Sequence, residues 1–345
     1  MLRRLALLLC LFGIGIADAQ AVDGVTNQQI SFTSNDGSIL AGTLTLPAGT
    51  TEKVPALVLL QGSGPTNRDG NQPPVLRTDL LRQIAEGLAL KGIATLRYDK
   101  RGLPANAASI PADPADYASY FDWGRFVDDA YAAYAFLRAQ PIVDMAKTGF
   151  LGHSEGGLIA LDLTSRLIAA EQPAFLILAA TPGRPLGQVL QDQIAFKLTE
   201  QKASQAQRKY FLSENERIIK AIRETGRIPD NVPPGLAPLY YAAFLGPFLQ
   251  SWFKLEPAML AAKYAGPVLL IQGDADIQIS SERDALALDR ALQQRGNDDH
   301  AMIVLPRTSH NLKPLQGDKD PGFEGEIDPQ LTGRIATWLL SKMVP

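Results

Sequence analysis

One serine in this chain has the neighbours that a nucleophile needs. Ser154 lies in the segment GHSEGG, residues 152–157, where an apolar run ends and a helical pattern begins. The glycines would permit a sharp turn from strand to helix that exposes the serine oxygen. Such a turn also directs the backbone N–H of Glu155, at the helix start, towards the group under attack. We therefore predict that Ser154 is a nucleophile and that Glu155 is an oxyanion donor.

A serine nucleophile needs a base, and position selects one of the three histidines. In an open α/β sheet, ligands bind beyond the carboxyl ends of the strands, so a catalytic group should follow a strand. His310 follows the strand-like run AMIVLP, whereas His300 precedes it. His153 adjoins Ser154, and its side chain is expected to point away from the turn. We predict that His310 is the base.

The acid that orients the base should follow another strand at the same edge of the sheet. Asp274 and Asp276 both come soon after the apolar run PVLLIQG. We favour Asp276, which lies three residues beyond Gly273 and has apolar neighbours. Asp274 is the alternative, although an aspartate in this place is common in turns and helix caps.

A second oxyanion donor is predicted in the glycine-rich loop QGSGP, residues 61–65, after the run ALVLL. The N–H of Ser63 is our choice and Gly62 is the near alternative, because glycines let the backbone approach a ligand. Considered alone, this loop is better explained as a glycine-rich turn without a ligand. The charged residues 99–101 (Asp-Lys-Arg), after the run IATLRY, are predicted to form a structural hydrogen-bond network.

These candidates need an architecture that brings strand ends together. From Val54 onwards strands alternate with helices, which predicts an α/β fold with a mostly parallel sheet covered on both faces. Two β-like runs around residues 35–37 (Asn-Asp-Gly) predict an N-terminal antiparallel hairpin. The alternation stops where helical and then aromatic segments predict an inserted helical cap. The predicted units are a signal peptide at 1–19, a core at 20–184 and 264–345, and the cap at 185–263.

The first residues have the pattern of a cleaved secretory signal. Arg3 and Arg4 precede an apolar run at residues 5–16, and residues 17–19 (Ala-Asp-Ala) fit a signal-peptidase site. The run is too short to span a membrane, which needs about 20 apolar residues. We expect a secreted or periplasmic protein, cut after Ala19 and without a stable membrane anchor.

Composition and charge exclude several classes of partner. Cys10 is the only cysteine and lies in the predicted signal, so neither a disulfide nor a cysteine-ligated metal is predicted. The net charge of −3, without a basic cluster, argues against nucleic-acid binding. Without metal-ligand spacing or a dinucleotide fingerprint, no metal and no cofactor are expected. The sequence does not predict an oligomeric state.

Five segments in order resemble the α/β-hydrolase superfamily: LLQGSGPTNRDGN, GIATLRYDKRG, GFLGHSEGGLIAL, PVLLIQGDADIQI and TSHNLK. More narrowly, they are similar to bacterial esterases and serine-aminopeptidase-like hydrolases, over nearly all of the chain from Gln29 on. The resemblance implies an α/β-hydrolase fold and ester hydrolysis. The family's nucleophile, acid, base and two backbone donors match Ser154, Asp276, His310, Ser63 and Glu155. Two positions depart from the family's pattern, Gln61 for a usual histidine and Asn67 for a frequent aspartate.

The predicted function is a serine hydrolase that cleaves small carboxylic esters of short to medium acyl chain through an acyl-enzyme. A serine peptidase or aminopeptidase, and an acyl-thioester hydrolase or acyltransferase, would use the same triad. An aminopeptidase needs an acidic pair facing the site. The cap sequence shows no clear pair, and Glu214 and Glu216 are the candidates that stay open. An intact triad argues against a non-catalytic binding module. Aromatic residues of the cap, a few of which would line an acyl pocket, are Tyr240, Tyr241, Phe244, Phe248, Trp252 and Phe253.

Overall fold

The computed structural model describes residues 17–22, 24–240, 242–296, 299–317 and 320–343. The strands are β1 Ala17–Val22, β2 Val25–Thr33, β3 Ile39–Pro47, β4 Val54–Leu60, β5 Ala94–Tyr98, β6 Val143–His153, β7 Leu176–Ala179, β8 Val268–Gly273 and β9 His300–Leu305. These nine strands of the described residues form one sheet in the order β1-β2-β3-β5-β4-β6-β7-β8-β9.

The sheet is mostly parallel and is entered through an antiparallel hairpin. β1, β2 and β3 pair antiparallel, and β3 also lies antiparallel to β5. The remaining pairs, from β5 through β4, β6, β7 and β8 to β9, are parallel. The hairpin closes at Gly37, which has a φ of 87° that suits glycine. The predicted fold class is confirmed.

Helices cover both faces of the sheet. The α-helices of the described residues, including four in an insertion, are α1 Leu80–Ala89, α2 Tyr117–Tyr120, α3 Trp123–Arg138, α4 Glu155–Arg166, α5 Leu186–Glu200, α6 Gln205–Thr225, α7 Gly246–Lys254, α8 Pro257–Lys263, α9 Leu286–Gln293 and α10 Leu331–Ser341. Along β4, Leu57 and Leu59 join the apolar cluster of α1 and α10, while Val58 and Leu60 join that of α3 and α4. Successive side chains of a strand point to opposite faces, and both faces of β4 are covered by helices. The sequence of β4 is therefore a continuous apolar run.

A helical insertion lies between β7 and β8, and we call it the cap. It contains α5, α6, α7 and α8. Helix α6 begins with a capping box between Ser204 and Gln207 and ends at Gly226, which has a φ of 69°. The cap packs on α3 through Phe248, whose ring centroid lies 5.6 Å from that of Trp123 and 5.5 Å from that of Phe126. This contact places aromatic side chains above the carboxyl ends of the strands.

The predicted signal peptide lies mostly outside the described residues. Residues 1–16 are not described, whereas residues 17–19 form the start of β1, which pairs with β2. The signal peptide, its cleavage and the export of the protein stay predictions, as do the domain boundaries. Among the described residues, no helix combines the length and the apolar character that a membrane span requires.

Candidate active site

Ser154 lies at the sharp turn that joins β6 to α4. Its φ of 55° and ψ of −119° form a conformation that costs a residue with a side chain about 1–3 kcal/mol. The adjacent glycines make the turn possible, because a Cβ on Gly152 would overlap the backbone of Gly156. A Cβ on Gly156 would in turn overlap the carbonyl of Leu60. The local sequence therefore folds into a tight turn that places Ser154 directly beyond the carboxyl end of β6.

His310 reaches the cavity that Ser154 also lines, from a loop after β9. The N–H of Ser309 donates to the carbonyl of Lys313 at 2.9 Å, and that of Leu312 donates to the carbonyl of Ser309 at 3.0 Å. These bonds close a tight turn that carries His310. The imidazole is consequently well held and largely buried, with 8% of the residue exposed.

Asp276 pairs with His310, and Asp274 does not take this place. Oδ2 of Asp276 lies 2.8 Å from Nδ1 of His310, while its Oδ1 accepts from the N–H groups of Gln278 and Ile279 at 2.8 and 2.9 Å. Burial alone raises the pKa of Asp276, but the charge and hydrogen bond of His310 and the two backbone donors hold it below its ordinary value. The carboxylate is thus ionised near neutral pH. Asp274 is exposed.

The expectation that the His153 side chain points away from the turn at Ser154 is wrong. Its ring centroid lies 4.8 Å from that of His310, and its Nε2 lies 2.8 Å from the carbonyl oxygen of His310. Because a carbonyl only accepts, Nε2 of His153 carries the proton and cannot act as a base. Burial, with the charge of His310, lowers the pKa of His153 to about 3, so the ring is neutral. His300 begins β9 at the opposite edge, as predicted.

The loop after β4 lies against the serine. A Cβ on Gly62 would approach the Cβ of Ser154 to 3.4 Å. The carbonyl of Ser63 accepts from Oγ1 of Thr66 and from Nε2 of Gln72, both at 2.9 Å, which fixes the loop. A helix also leaves its first N–H groups without an intrahelical acceptor, and α4 begins directly after Ser154. The loop and the start of α4 therefore both lie beside Ser154.

Both departures from the family's loop pattern support the loop. Nε2 of Gln61 donates to the carbonyl of Tyr98 at 2.9 Å. Oδ1 of Asn67 accepts from the N–H groups of Asp69 and Asn71 at 3.0 and 2.9 Å. The amide of Gln61 thus supports the start of the loop, and Asn67 closes the next turn.

A cavity of about 720 Å³ lies between the sheet edge and the cap. Ser154 and His310 lie in its wall on the sheet side. Most of the cap's contribution is apolar: Leu186, Val189, Leu190, Leu239, Tyr240, Phe244, Leu245, Phe248, Leu249, Trp252 and Phe253. Five of the six aromatic residues predicted as cap candidates are thus wall residues, and Tyr241 lies outside the described residues. The cavity can take an apolar group next to the serine.

The charges in the cavity wall are all neutralised inside the protein. Among the described wall residues, the Lys, Arg, Asp and Glu side chains are Lys100, Arg101 and Glu155. Nζ of Lys100 lies 2.7 Å from Oε1 of Glu155. Arg101 binds Asp129 through two bonds of 2.6 and 2.8 Å and Asp36 at 2.9 Å. The described residues also contain no group of His, Cys, Asp and Glu able to hold a metal ion.

Comparison with known proteins decides the family. The model of the α/β hydrolase family matches residues 57–319. The chain belongs to the α/β hydrolase family. Among curated proteins, Esterase EstD of Thermotoga maritima is 26% identical over 315 residues, which are 90% of this chain and 68% of that protein.

Solved structures agree with the α/β hydrolase fold. Est1E from Butyrivibrio proteoclasticus has a TM-score of 0.55 at 16% identity, covering 91% of this chain and 98% of its own. Dipeptidyl peptidase 4 of Porphyromonas gingivalis has a TM-score of 0.54 at 17% identity, covering 92% of this chain and 35% of its own. The predicted hydrolase class is confirmed. Because this fold serves peptidases as well, the site has to decide the reaction.

Proposed function

We propose that this α/β hydrolase is a serine esterase for uncharged carboxylic esters of short to medium acyl chain. The observation that carries the proposal is the pairing of Asp276 with His310, which lines the same cavity as Ser154. These groups supply a nucleophile, a base and an orienting acid. The similarity to a protein named an esterase supports the same reaction.

Acylation begins with proton transfer from Ser154. The hydroxyl oxygen forms a bond to the ester carbonyl carbon while Nε2 of His310 takes the hydroxyl proton. Asp276 holds the proton of Nδ1 and stabilises the imidazolium that results. The carbonyl oxygen becomes an oxyanion and accepts hydrogen bonds from the N–H groups of Ser63 and Glu155, with Gly62 as the alternative donor. Each such donor contributes about 3 kcal/mol to transition-state stabilisation.

Collapse of the oxyanion breaks the ester C–O bond. The leaving alcohol takes the proton from His310, and the acyl group stays on Ser154 as an ester. A water molecule then gives a proton to His310 and adds its oxygen to the acyl carbon. The second oxyanion uses the same donors, and its collapse returns the proton to Ser154 and releases the acid.

The cavity favours an ester over a peptide with a free amino terminus. A free amino terminus is a cation that needs an unpaired carboxylate, yet Glu155, the one Asp or Glu of the described wall, is paired with Lys100. Glu214 and Glu216, the candidates from the sequence, do not line the cavity, and Glu214 binds Arg217 at 2.8 Å. Burying an unpaired charge would be costly, so the cavity selects neutral groups.

A labelling experiment tests the nucleophile. We expect a fluorophosphonate probe to label the folded protein, and Ser154→Ala to abolish labelling and lower kcat on p-nitrophenyl butyrate by about 10⁴-fold or more. Labelling of the variant, or a folded wild-type protein that stays unlabelled, would refute the proposal.

A substrate panel tests the class. The kcat/KM for p-nitrophenyl butyrate should exceed that for alanine and leucine p-nitroanilides, and that for p-nitrophenyl hemisuccinate by at least about tenfold. The hemisuccinate has the same number of acyl carbons as the butyrate and carries a carboxylate in place of the terminal methyl group. Faster turnover of the anilides would contradict the esterase proposal and indicate an aminopeptidase. Equal turnover of the two esters would contradict the proposal that the cavity selects neutral groups.

A further inference from the structure

Lys100 lies buried beneath the loop that faces Ser154, and it uses every donor it has. Its Nζ donates to Oε1 of Glu155 at 2.7 Å, to the carbonyl of Gly62 at 2.7 Å and to that of Gly64 at 3.3 Å. Lys100 is 5% exposed and Glu155 is 4% exposed. Since an ammonium group has three N–H bonds, none is left for a substrate.

Sheet order explains why these groups meet. β4 lies between β5 and β6, and the glycine-rich loop leaves the carboxyl end of β4. Lys100 comes two residues after the end of β5, and Glu155 comes two residues after the end of β6. The two side chains therefore approach from the flanking strands, and their ion pair lies across the end of β4.

Two of the groups that bind Lys100 are covalently part of the peptide group or the residue that supplies a proposed oxyanion donor. The carbonyl of Gly62 and the N–H of Ser63 are parts of one peptide group, which is trans. In a trans peptide the C=O and the N–H point in opposite directions. A bond from Lys100 to this carbonyl thus fixes the N–H of Ser63 to point away from the lysine. The ammonium charge also polarises that peptide and strengthens the N–H as a donor.

The second donor is tied to the same ammonium group. The N–H of Glu155 is the donor at the start of α4, and the side chain of the same residue binds Lys100. We propose that Lys100 is a positioning residue that locks the Ser63 and Glu155 donors into one rigid oxyanion hole. The proposal rests on the proposed function, because it assigns Lys100 a role in stabilising the oxyanion formed on Ser154.

The test replaces Lys100 by methionine, which keeps the length of the side chain and removes its donors. We expect Lys100→Met to lower kcat on p-nitrophenyl butyrate by about 10²-fold, the loss typical of one oxyanion donor, with KM changed less than threefold. Lys147→Met is the matched control, because Lys147 pairs with Asp144 on the surface at 3.2 Å. The control should keep wild-type kcat.

An inhibitor separates positioning from a structural role. A trifluoromethyl ketone forms a tetrahedral oxyanion on the serine, so its Ki should rise with Lys100→Met by the same factor as kcat/KM falls. If Lys100 had only a structural role, the substitution would lower the fraction of active molecules, which fluorophosphonate titration measures. The molecules that stay active would then keep the wild-type Ki. A kcat within threefold of wild type, or a loss confined to KM, would overturn the proposal.

A double variant covers the case in which Lys100→Met fails to fold. Removing the lysine leaves the buried carboxylate of Glu155 unpaired, which is strongly destabilising. Lys100→Met combined with Glu155→Gln removes both charges and still lacks the bonds to Gly62 and Gly64. We expect the same fall in kcat and the same rise in Ki, and wild-type values would overturn the proposal. A wild-type protein that fluorophosphonate does not label would overturn the esterase and this role together.

Discussion

Asp276→Asn exchanges one oxygen of the proposed orienting acid for an NH₂ group, and the structure determines which one. Oδ1 accepts from the backbone N–H groups of Gln278 and Ile279, at 2.8 and 2.9 Å. These two donors require an oxygen, so the amide oxygen of the asparagine stays there. The NH₂ group then takes the place of Oδ2, 2.8 Å from Nδ1 of His310, and loses the bond that Oδ2 accepted from Nε2 of Gln272 at 3.0 Å.

This orientation of the amide reverses the tautomer of His310. The NH₂ group donates to Nδ1, so the imidazole proton moves to Nε2, where the proton of Ser154 has to be accepted. The base is then blocked, and the imidazolium also loses its carboxylate. We expect kcat on p-nitrophenyl butyrate to fall by about 10⁴-fold, which corresponds to about 5 kcal/mol, with KM little changed.

The assay compares Asp276→Asn with Asp274→Asn. Asp274 lies two residues away with its side chain exposed, so its variant should keep kcat within about twofold of wild type. Circular dichroism and thermal unfolding establish that both variants are folded. A kcat for Asp276→Asn within tenfold of wild type, or an equal loss in Asp274→Asn, would refute the assignment of the acid.

Two further predictions concern the second histidine and a buried lysine. His310→Asn should lower kcat by about 10⁴-fold or more, while His153→Asn, which loses the bond to the His310 carbonyl, should lower it less than about 30-fold. Equal losses of kcat in the two variants, measured in steady-state assays, would indicate that His153 also acts as a base. Burial lowers the pKa of Lys313 from 10.5 to about 8, so the unfolded state holds more protons between these values and wild-type stability rises with pH there. Relative to Lys313→Met, wild type should gain about 3 kcal/mol across this range in urea unfolding, and parallel pH curves would contradict the burial effect.

The sequence predicts the architecture well because local patterns of apolar and turn residues determine the strands and their connections. The apolar runs that became β4 and β8 are buried on both faces, and the Asn-Asp-Gly turn closes the predicted hairpin. Parallel strands also place their carboxyl ends at one edge of the sheet. The sequence therefore predicts that Ser154, Asp276 and His310 lie near one another, without any measured distance. The structure adds the contact that separates Asp276 from Asp274.

Contacts between distant segments could not be predicted in the same way. The ring of His153 lies against a residue 157 positions further along the chain, and only packing of the loops brings them together. The sequence correctly predicts a structural hydrogen-bond network for Lys100, but the partners of Lys100 lie 36, 38 and 55 positions away. No periodicity in the sequence encodes which carbonyl a buried ammonium group will bind.

The neutrality of the cavity affects how the reaction ends. Hydrolysis converts a neutral ester into a carboxylate, and the described wall contains no free cation to hold that new anion, since Lys100 and Arg101 are already paired. A carboxylate without a counter-charge is poorly solvated between apolar side chains. We therefore expect the cavity to bind the acid product more weakly than the neutral ester, and turnover to proceed with little product inhibition.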